Sequence, residues 1–210
     1  MEFVLLPGGA FWMGSDKGDA SEKPVHQVTL SSFLISKFEV TQSVWKKIMK
    51  SNDSYHKGDN KPVECVTWDE CQRFCNRTGL KLPTESQWEY ACRAMTRTKY
   101  YWGDSTEEGY GWHQGNSNQS TQAVGSKKPN GFGLYDMVGN VWEWCQDGWN
   151  DNHEGSPKNG SARFGDDQKR VVRGGCFSYG IEFCRSSARS WLPSQIQYKD
   201  VGFRVCAEVD

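Results

Sequence analysis

Between Tyr100 and Arg170 the sequence is mostly Gly, Asn, Asp, Ser and Trp, and neither a helical nor a strand period runs through it. A stretch of that length without regular structure is uncommon inside a compact domain, so it is either a linker or carries packing of its own. Its aromatic content favours an ordered region pinned by rings. The whole chain shares this character, with 10 Trp, 10 Phe, 8 Tyr and 22 Gly in a sequence only 36% hydrophobic. Such a chain builds its core from a few large aromatic side chains held by Gly turns. With 210 residues, it can bury about 70% of its unfolded surface without metals or crosslinks. No composition break, repeat or low-complexity tract divides it, and a single domain over residues 1–210 is expected.

Regular elements flank the irregular stretch. Phe3–Leu6 and Ala10–Ser15 alternate as strands around Pro7-Gly8-Gly9, which predicts a hairpin. Val25–Leu30 and Phe33–Val40 continue the alternation. Thr41 predicts a helix cap, with Val44, Trp45 and Ile48 on one face. A second helix fits Thr67 to Thr78, where Trp68, Cys71, Phe74 and Cys75 share a side, and Gly79 ends it. Thr84 opens a third, with Glu85, Gln87 and Glu89 near its positive end and Trp88 and Cys92 on one side. Short strands are expected at Val141–Trp144, Val171–Arg173 and Val201–Val205, giving an α+β class.

The charge balance of 25 Lys and Arg against 26 Asp and Glu, a formal charge of −1, creates no field that would draw the chain to nucleic acid or acidic membranes. No apolar run reaches the roughly 18 residues of a transmembrane helix. Met1–Pro7 lacks the basic and long apolar regions of a secretory signal. His26, His56, His113 and His153 are scattered and fit no zinc spacing, and no Ser-His-Asp order, phosphate loop or dinucleotide fingerprint is present. The eight cysteines (Cys65, Cys71, Cys75, Cys92, Cys145, Cys176, Cys184 and Cys206) are an even, high number that favours an oxidising compartment. Buried free thiols are the alternative.

The densest signal is Asn130–Trp144, where Asp136 and Glu143, with carbonyls between them, offer the hard oxygen ligands that calcium prefers. Equally, Asp136 could cap a turn while Glu143 pairs with an arginine such as Arg173. Together with Pro7–Ser15, Leu82–Ala91, Arg173-Gly174-Gly175 and Gly202-Phe203-Arg204, this segment resembles the formylglycine-generating enzyme (sulfatase-modifying factor) family, over almost the whole chain. The resemblance implies a C-type lectin fold of the formylglycine-generating-enzyme-like variant, loop-rich, with short antiparallel strands and two to three helices. It implies structural calcium held by the side chains of Asp136 and Glu143 and the carbonyls of Gly139 and Val141, with Asp replacing the family's Asn at the first position. It also implies disulfides Cys75–Cys206 and Cys92–Cys184. The second match is inexact, because Cys184 stands two residues before the aligned Ser186. Cys65, Cys71, Cys145 and Cys176 are left unassigned.

Catalytic members of the family use a cysteine pair spaced five apart, with copper. The corresponding stretch here, Gly174–Arg189, has Cys176 and Cys184 eight apart, and soft thiolates at that spacing are not expected to converge on Cu(I). No catalytic residues and no copper are therefore expected; a formylglycine-generating-type copper oxidase or a related metal-dependent enzyme is the alternative. The same stretch more closely resembles the variable proteins of diversity-generating retroelements, of the Treponema variable protein type. In these, a segment between fixed Arg-Gly-Gly, Cys-Arg-Ser and Gly-Phe-Arg motifs is diversified.

Between the same motifs here lie Phe177, Ser178, Tyr179, Ile181, Glu182, Phe183, Trp191, Leu192, Gln195, Ile196, Gln197, Tyr198 and Lys199, following neither period 2 nor 3.6. Aromatic and amphipathic side chains grouped this way make a paratope-like surface. The other reading puts Phe177, Phe183, Ile196 and Tyr198 in the core. The expected protein is a non-enzymatic, monomeric ligand binder with a diversified segment at about 176–200. Its ligand would be an unknown protein or cell-surface molecule. It would be extracellular and lipid-anchored on a bacterial surface through a signal segment absent from this chain. Trp68, Trp88, Trp142 and Trp144 belong to the framework, and near-zero charge leaves recognition to shape and aromatic contact.

Overall fold

Each of the described α-helices starts at a threonine cap. In the computed structural model, which describes residues 1–209 apart from the Asp167 side chain, Thr41 Oγ1 accepts the Val44 N–H ahead of α1 (Gln42–Met49). Thr67 and Thr84 form reciprocal capping boxes with Glu70 and Gln87 at the starts of α2 (Trp68–Thr78) and α3 (Glu85–Arg93), and Gly79 closes α2 in the left-handed region. Helices this short are marginal alone. Each cap contributes about 1 kcal/mol, and burial of Trp45, Phe74 and Trp88 does the rest.

The described strands form three sheets. β1 (Phe3–Leu6) and β9 (Cys206–Glu208) pair on either side of β4 (Phe33–Ser36), so the two ends of the chain share one sheet. β2 (Gly9–Met13) pairs with β3 (His26–Leu30). The third sheet runs β7 (Arg189–Pro193), β6 (Asp166–Arg173), β5 (Trp142–Trp149), β8 (Val201–Gly202), antiparallel except for β5 and β8.

The expected hairpin of β1 on β2 does not form. Pro7 offers no N–H, and Gly8 packs so closely on the β3–β4 connection that a Cβ there would lie 2.7 Å from the Leu30 carbonyl oxygen and 2.9 Å from Ser32 N. The two chain segments cross at this point, and each strand pairs across the crossing instead.

β5 and β6 lie between two cores. Val171 and Cys145 face a cluster containing Leu6, Phe11, Trp88 and Tyr90, while Val172 and Trp144 face one containing Trp45, Phe74 and Phe203. A strand buried on both faces reads as a continuous apolar run, which is why Val171-Val172 shows no alternation. The irregular stretch is pinned as expected. Trp102 is stacked between Tyr100 and Tyr110, at 4.7 Å from each, and Lys99 and Lys128 sit over the two ends of this column. Asn130 ties the stretch to α3 by donating to the carbonyls of Ala91 and Cys92.

Candidate ligand-binding surface

The segment of interest hangs between two buried arginines. Arg173, at the end of β6, has no exposed surface; it pairs with Glu89 and, at 3.7 Å, with Glu85. It also donates to the carbonyls of Ser186, Ser187 and Ala188, so one side chain ties the two ends of the loop 174–188 together. Across the strand pair stands Arg189, which grips Glu85 with two bonds of 2.6 and 2.8 Å. Burial alone would raise the Glu85 carboxyl, but Arg189 and Arg173 overcome this and hold it at about 2. The loop turns sharply at Gly174 and Gly175, with φ of 96° and 73°. A Cβ on Gly175 would lie 2.3 Å from Cys184 Sγ.

From this frame the side chains diverge. Phe177 is the exception among the expected contact residues: it is 1% exposed and packs edge-on against His56 at 5.0 Å. Asn140 and Ser117 hold its backbone. It is an anchor, because the tight Gly174-Gly175 turn sends the chain inward before it emerges. Ser178, Tyr179, Ile181, Glu182 and Phe183 then reach the surface or its edge. Tyr179 meets Phe183 edge-to-face at 5.5 Å and rests on the buried Trp142 at 6.2 Å. Gln114 N–H and Tyr100 Oη bond the carbonyls of Tyr179 and Ile181 from below.

The second half of the segment returns to the same place. Ser178 Oγ donates to Asp200 at 2.9 Å. The Tyr179 phenol is raised by partial burial, with Cys176, Asp200 and Tyr198 close enough to add to the shift. Lys199 lies 5.5 Å from the ring centre of Tyr55, an exposed residue that the sequence pattern did not single out because it sits far upstream in an irregular stretch.

Gln195, Ile196 and Gln197 are exposed beside the start of α2, where the two glutamines donate to Asp69 and Glu70. Trp191, on the unexpected edge strand β7, is exposed under Lys169 at 4.3 Å. Leu192 and Tyr198 are half-buried against the second core. β7 shows no alternation in the sequence because Arg189 and Trp191 share a face, one buried by its ion pair and the other open.

The two carboxylates implied as calcium ligands lie with Glu39 around Arg204. Glu143 is buried, and its carboxylate takes Arg204 through two bonds of 2.7 and 2.8 Å and Trp88 Nε1 at 2.6 Å, filling three of its roughly four lone-pair directions. The arginine partner is Arg204 rather than Arg173. Asp136 accepts Gly125 N–H through Oδ2, while its buried Oδ1 has no hydrogen-bond partner among the described residues. Burial, only partly countered by Gly125 and Arg204, pushes Asp136 up to about 6. Glu39, beside it, is raised by burial and by Asp136 and Glu143. The cation serving these three acids is the Arg204 guanidinium.

The implied disulfides are absent, since all eight cysteines are free thiols. Cys92 Sγ turns to the Met137 carbonyl, Cys184 Sγ to that of Gly180, and Cys206 Sγ to Gln87. Burial pushes Cys75, Cys92 and Cys206 up to about 12 and Cys184 further. These thiols pack as small apolar residues. Cys176, near Ser178 and Asp200, is likewise pushed up to about 12 by burial and by the Asp200 charge.

The family model for the sulfatase-modifying factor enzyme 1-like domain matches residues 1–209. The chain belongs to this family. Among relatives of the sulfatase-modifying factor type, the formylglycine-generating enzyme of Mus musculus is 27% identical over 99% of this chain and 75% of its own length. A chaperone protein named LppX from Paenibacillus barcinonensis is 31% identical over 75% of each. Among solved structures, Treponema denticola variable protein 1 superposes with a TM-score of 0.89 at 26% identity, covering 99% of this chain and 95% of that one. PvdO from Pseudomonas aeruginosa superposes with a TM-score of 0.89 at 28% identity, covering 99% and 94%. The α+β, formylglycine-generating-enzyme-like C-type lectin fold follows. Among the described residues no helix is long and apolar enough to cross a membrane.

Proposed function

We propose that this chain is a non-enzymatic, monomeric ligand-binding member of the sulfatase-modifying factor family, with a diversified contact surface at about 176–200. The observation that carries the reading is the fate of the expected contact side chains: all but Phe177 reach the surface or its edge, around Tyr179, Phe183 and Tyr198. Rigid aromatic rings supply contact area at low entropy cost. The frame beneath them, built on Arg173, Arg189 and Arg204, consists of buried ion pairs that hold its shape while exposed residues vary. The likeness to a protein named as variable supports the same reading, and the relative named LppX supports a lipid-anchored surface setting.

Sequencing the gene across a cell population tests the diversification. Substitutions are expected to concentrate in the exposed codons from 178 to 199 and to spare Arg173, Arg189 and Arg204. An even spread would overturn the proposal. The family relatives named formylglycine-generating enzyme favour an oxidase as the second reading. Copper-dependent oxygen consumption with a thiol substrate, abolished by Cys176→Ser or Cys184→Ser, would establish it.

A further inference from the structure

Beside the 178–199 surface, the loop after β2 and the segment after α3 enclose a cleft of about 800 Å³, within the size range of roughly 300–1,000 Å³ typical of ligand sites. A smaller notch of about 130 Å³, lined by Phe11, Tyr90 and Met95, opens next to it, and Trp12 borders both. Three features here are not needed by the fold. Trp12 and Met95 are 44% and 65% exposed. Ala94 closes α3 in the left-handed region, and Met95, beyond the cap, keeps a positive φ of 72°, a strain that persists where surroundings impose it and that clusters at ligand sites.

The third feature is charge. Arg93 and Arg185 line the cleft but are committed to Glu89 and to Glu22 and Asp19. Among the described residues, Lys17, Arg97 and Lys99 make no ion pair. Arg97 lies over the Trp12 ring at 5.4 Å. The acids lining the cleft are Asp16 and Asp104, and Asp104 already accepts Lys99 N–H.

We propose that this cleft is a second binding site, separate from the 178–199 surface, and that it takes an acidic, extended peptide segment. One apolar side chain of the peptide enters the notch against Trp12 and Met95, and flanking carboxylates meet Arg97, Lys17 and Lys99. Trp, Met and Arg are enriched at the centres of protein interfaces, and a guanidinium held against a ring matches a carboxylate in a fixed, bidentate geometry. Lys17 and Lys99 act as mobile point charges at the rim. Arg185 and Ser187 bring the 176–200 segment to the edge of the cleft, but Trp12, Lys17, Arg97 and Lys99 all lie outside it, so these contacts stay constant while the neighbouring surface differs between copies.

The test uses the full chain on an array of short synthetic peptides in which Asp and Glu flank a single Leu, Met or Phe, printed beside the same peptides with Asn and Gln in place of the acids. Acidic peptides are expected to be retained at least about tenfold better than their neutral counterparts, with retention falling as salt rises. Trp12→Ala and Arg97→Glu should each reduce retention about tenfold at an unchanged unfolding midpoint, while Tyr179→Ala leaves it intact. Should Trp12→Ala impair folding, the exposed Arg97→Glu decides alone. Equal retention of neutral peptides, retention that survives Arg97→Glu, or loss with Tyr179→Ala overturns the proposal.

Discussion

Arg204 holds both carboxylate oxygens of Glu143, at 2.7 Å through Nε and 2.8 Å through Nη2, and neither side chain is exposed. Removing one partner of such a pair leaves an uncompensated buried charge, at a cost of about 3–5 kcal/mol. Arg204→Met is therefore expected to destabilise the fold by that amount, measured by denaturant unfolding. Because the guanidinium already serves as the cluster's cation, adding a calcium chelator should leave the melting temperature unchanged; a drop of several degrees would place calcium at Asp136 and Glu143 after all.

His153 is 3% exposed, 5.0 Å from His26 between ring centres, and its Nε2 has no hydrogen-bond partner among the described residues. Burial lowers it to about 4, with Arg189 opposing its charge and Glu85 only partly compensating. A histidine depressed on folding stays neutral in the folded state while the unfolded chain takes up the proton, so stability falls as pH drops from 6.5 toward 4. The loss is on the order of 3 kcal/mol at completion. His153→Phe should flatten the stability profile in that window, as read from urea midpoints at pH 7, 6, 5 and 4.

Glu85 adds a loss of the same sign at lower pH. Its folded value near 2 lies under the ordinary 4.5, so its ion pairs with Arg189 and Arg173 contribute fully above pH 4.5 and are lost as the pH falls through 2. In a His153→Phe background, Glu85→Gln is expected to lower stability at pH 7 and to reduce the remaining acid dependence between pH 4.5 and 2. An unchanged acid profile would show that Glu85 is not the titrating group.

The helices were legible because their signals are local: Thr41, Thr67 and Thr84 cap by reaching three residues ahead, and Gly79 needs only its own backbone. The frame of the site was legible as motif, yet its wiring was not, since Glu143 finds Arg204 and Arg173 finds Glu89 across long stretches of chain that no period connects. Pairing of β1 with β4 was missed for the same reason, as it depends on how closely Gly8 approaches Ser32. Phe177 and Tyr179 could not be separated in sequence because both are aromatic and two apart; the inward turn imposed by Gly174 and Gly175 divides them. Tyr55 and Trp12 stand among ordinary surface residues, and only the fold brings the first to Lys199 and the second to Arg97.

Gly175 and Gly133 both adopt positive φ, of 73° and 80°, but their surroundings differ. A Cβ on Gly133 meets nothing within 4 Å, whereas one on Gly175 strikes Cys184 Sγ and its Cα. Gly133→Ala should cost only the backbone strain, about 1 kcal/mol, and Gly175→Ala about 2–4 kcal/mol once the overpacking is added. Equal losses in thermal unfolding would mean that the loop 174–188 can shift away from Cys184.

The division between anchor and contact surface is testable without knowing any ligand. Phe177 is enclosed, so Phe177→Ala is expected to cost about 3–5 kcal/mol through lost burial and the cavity left behind. Tyr179 and Phe183 are 45% and 48% exposed and touch mainly each other and the edge of Trp142. Replacing either with Ala should cost no more than about 1 kcal/mol, the worth of an edge-to-face contact at the surface. Urea denaturation of the three variants gives the comparison directly. A large loss at Tyr179 or Phe183 would make these rings part of the framework, and a surface that must keep them could not be free to vary; small losses at both leave the frame indifferent to what stands there, which is the physical condition for a diversified site.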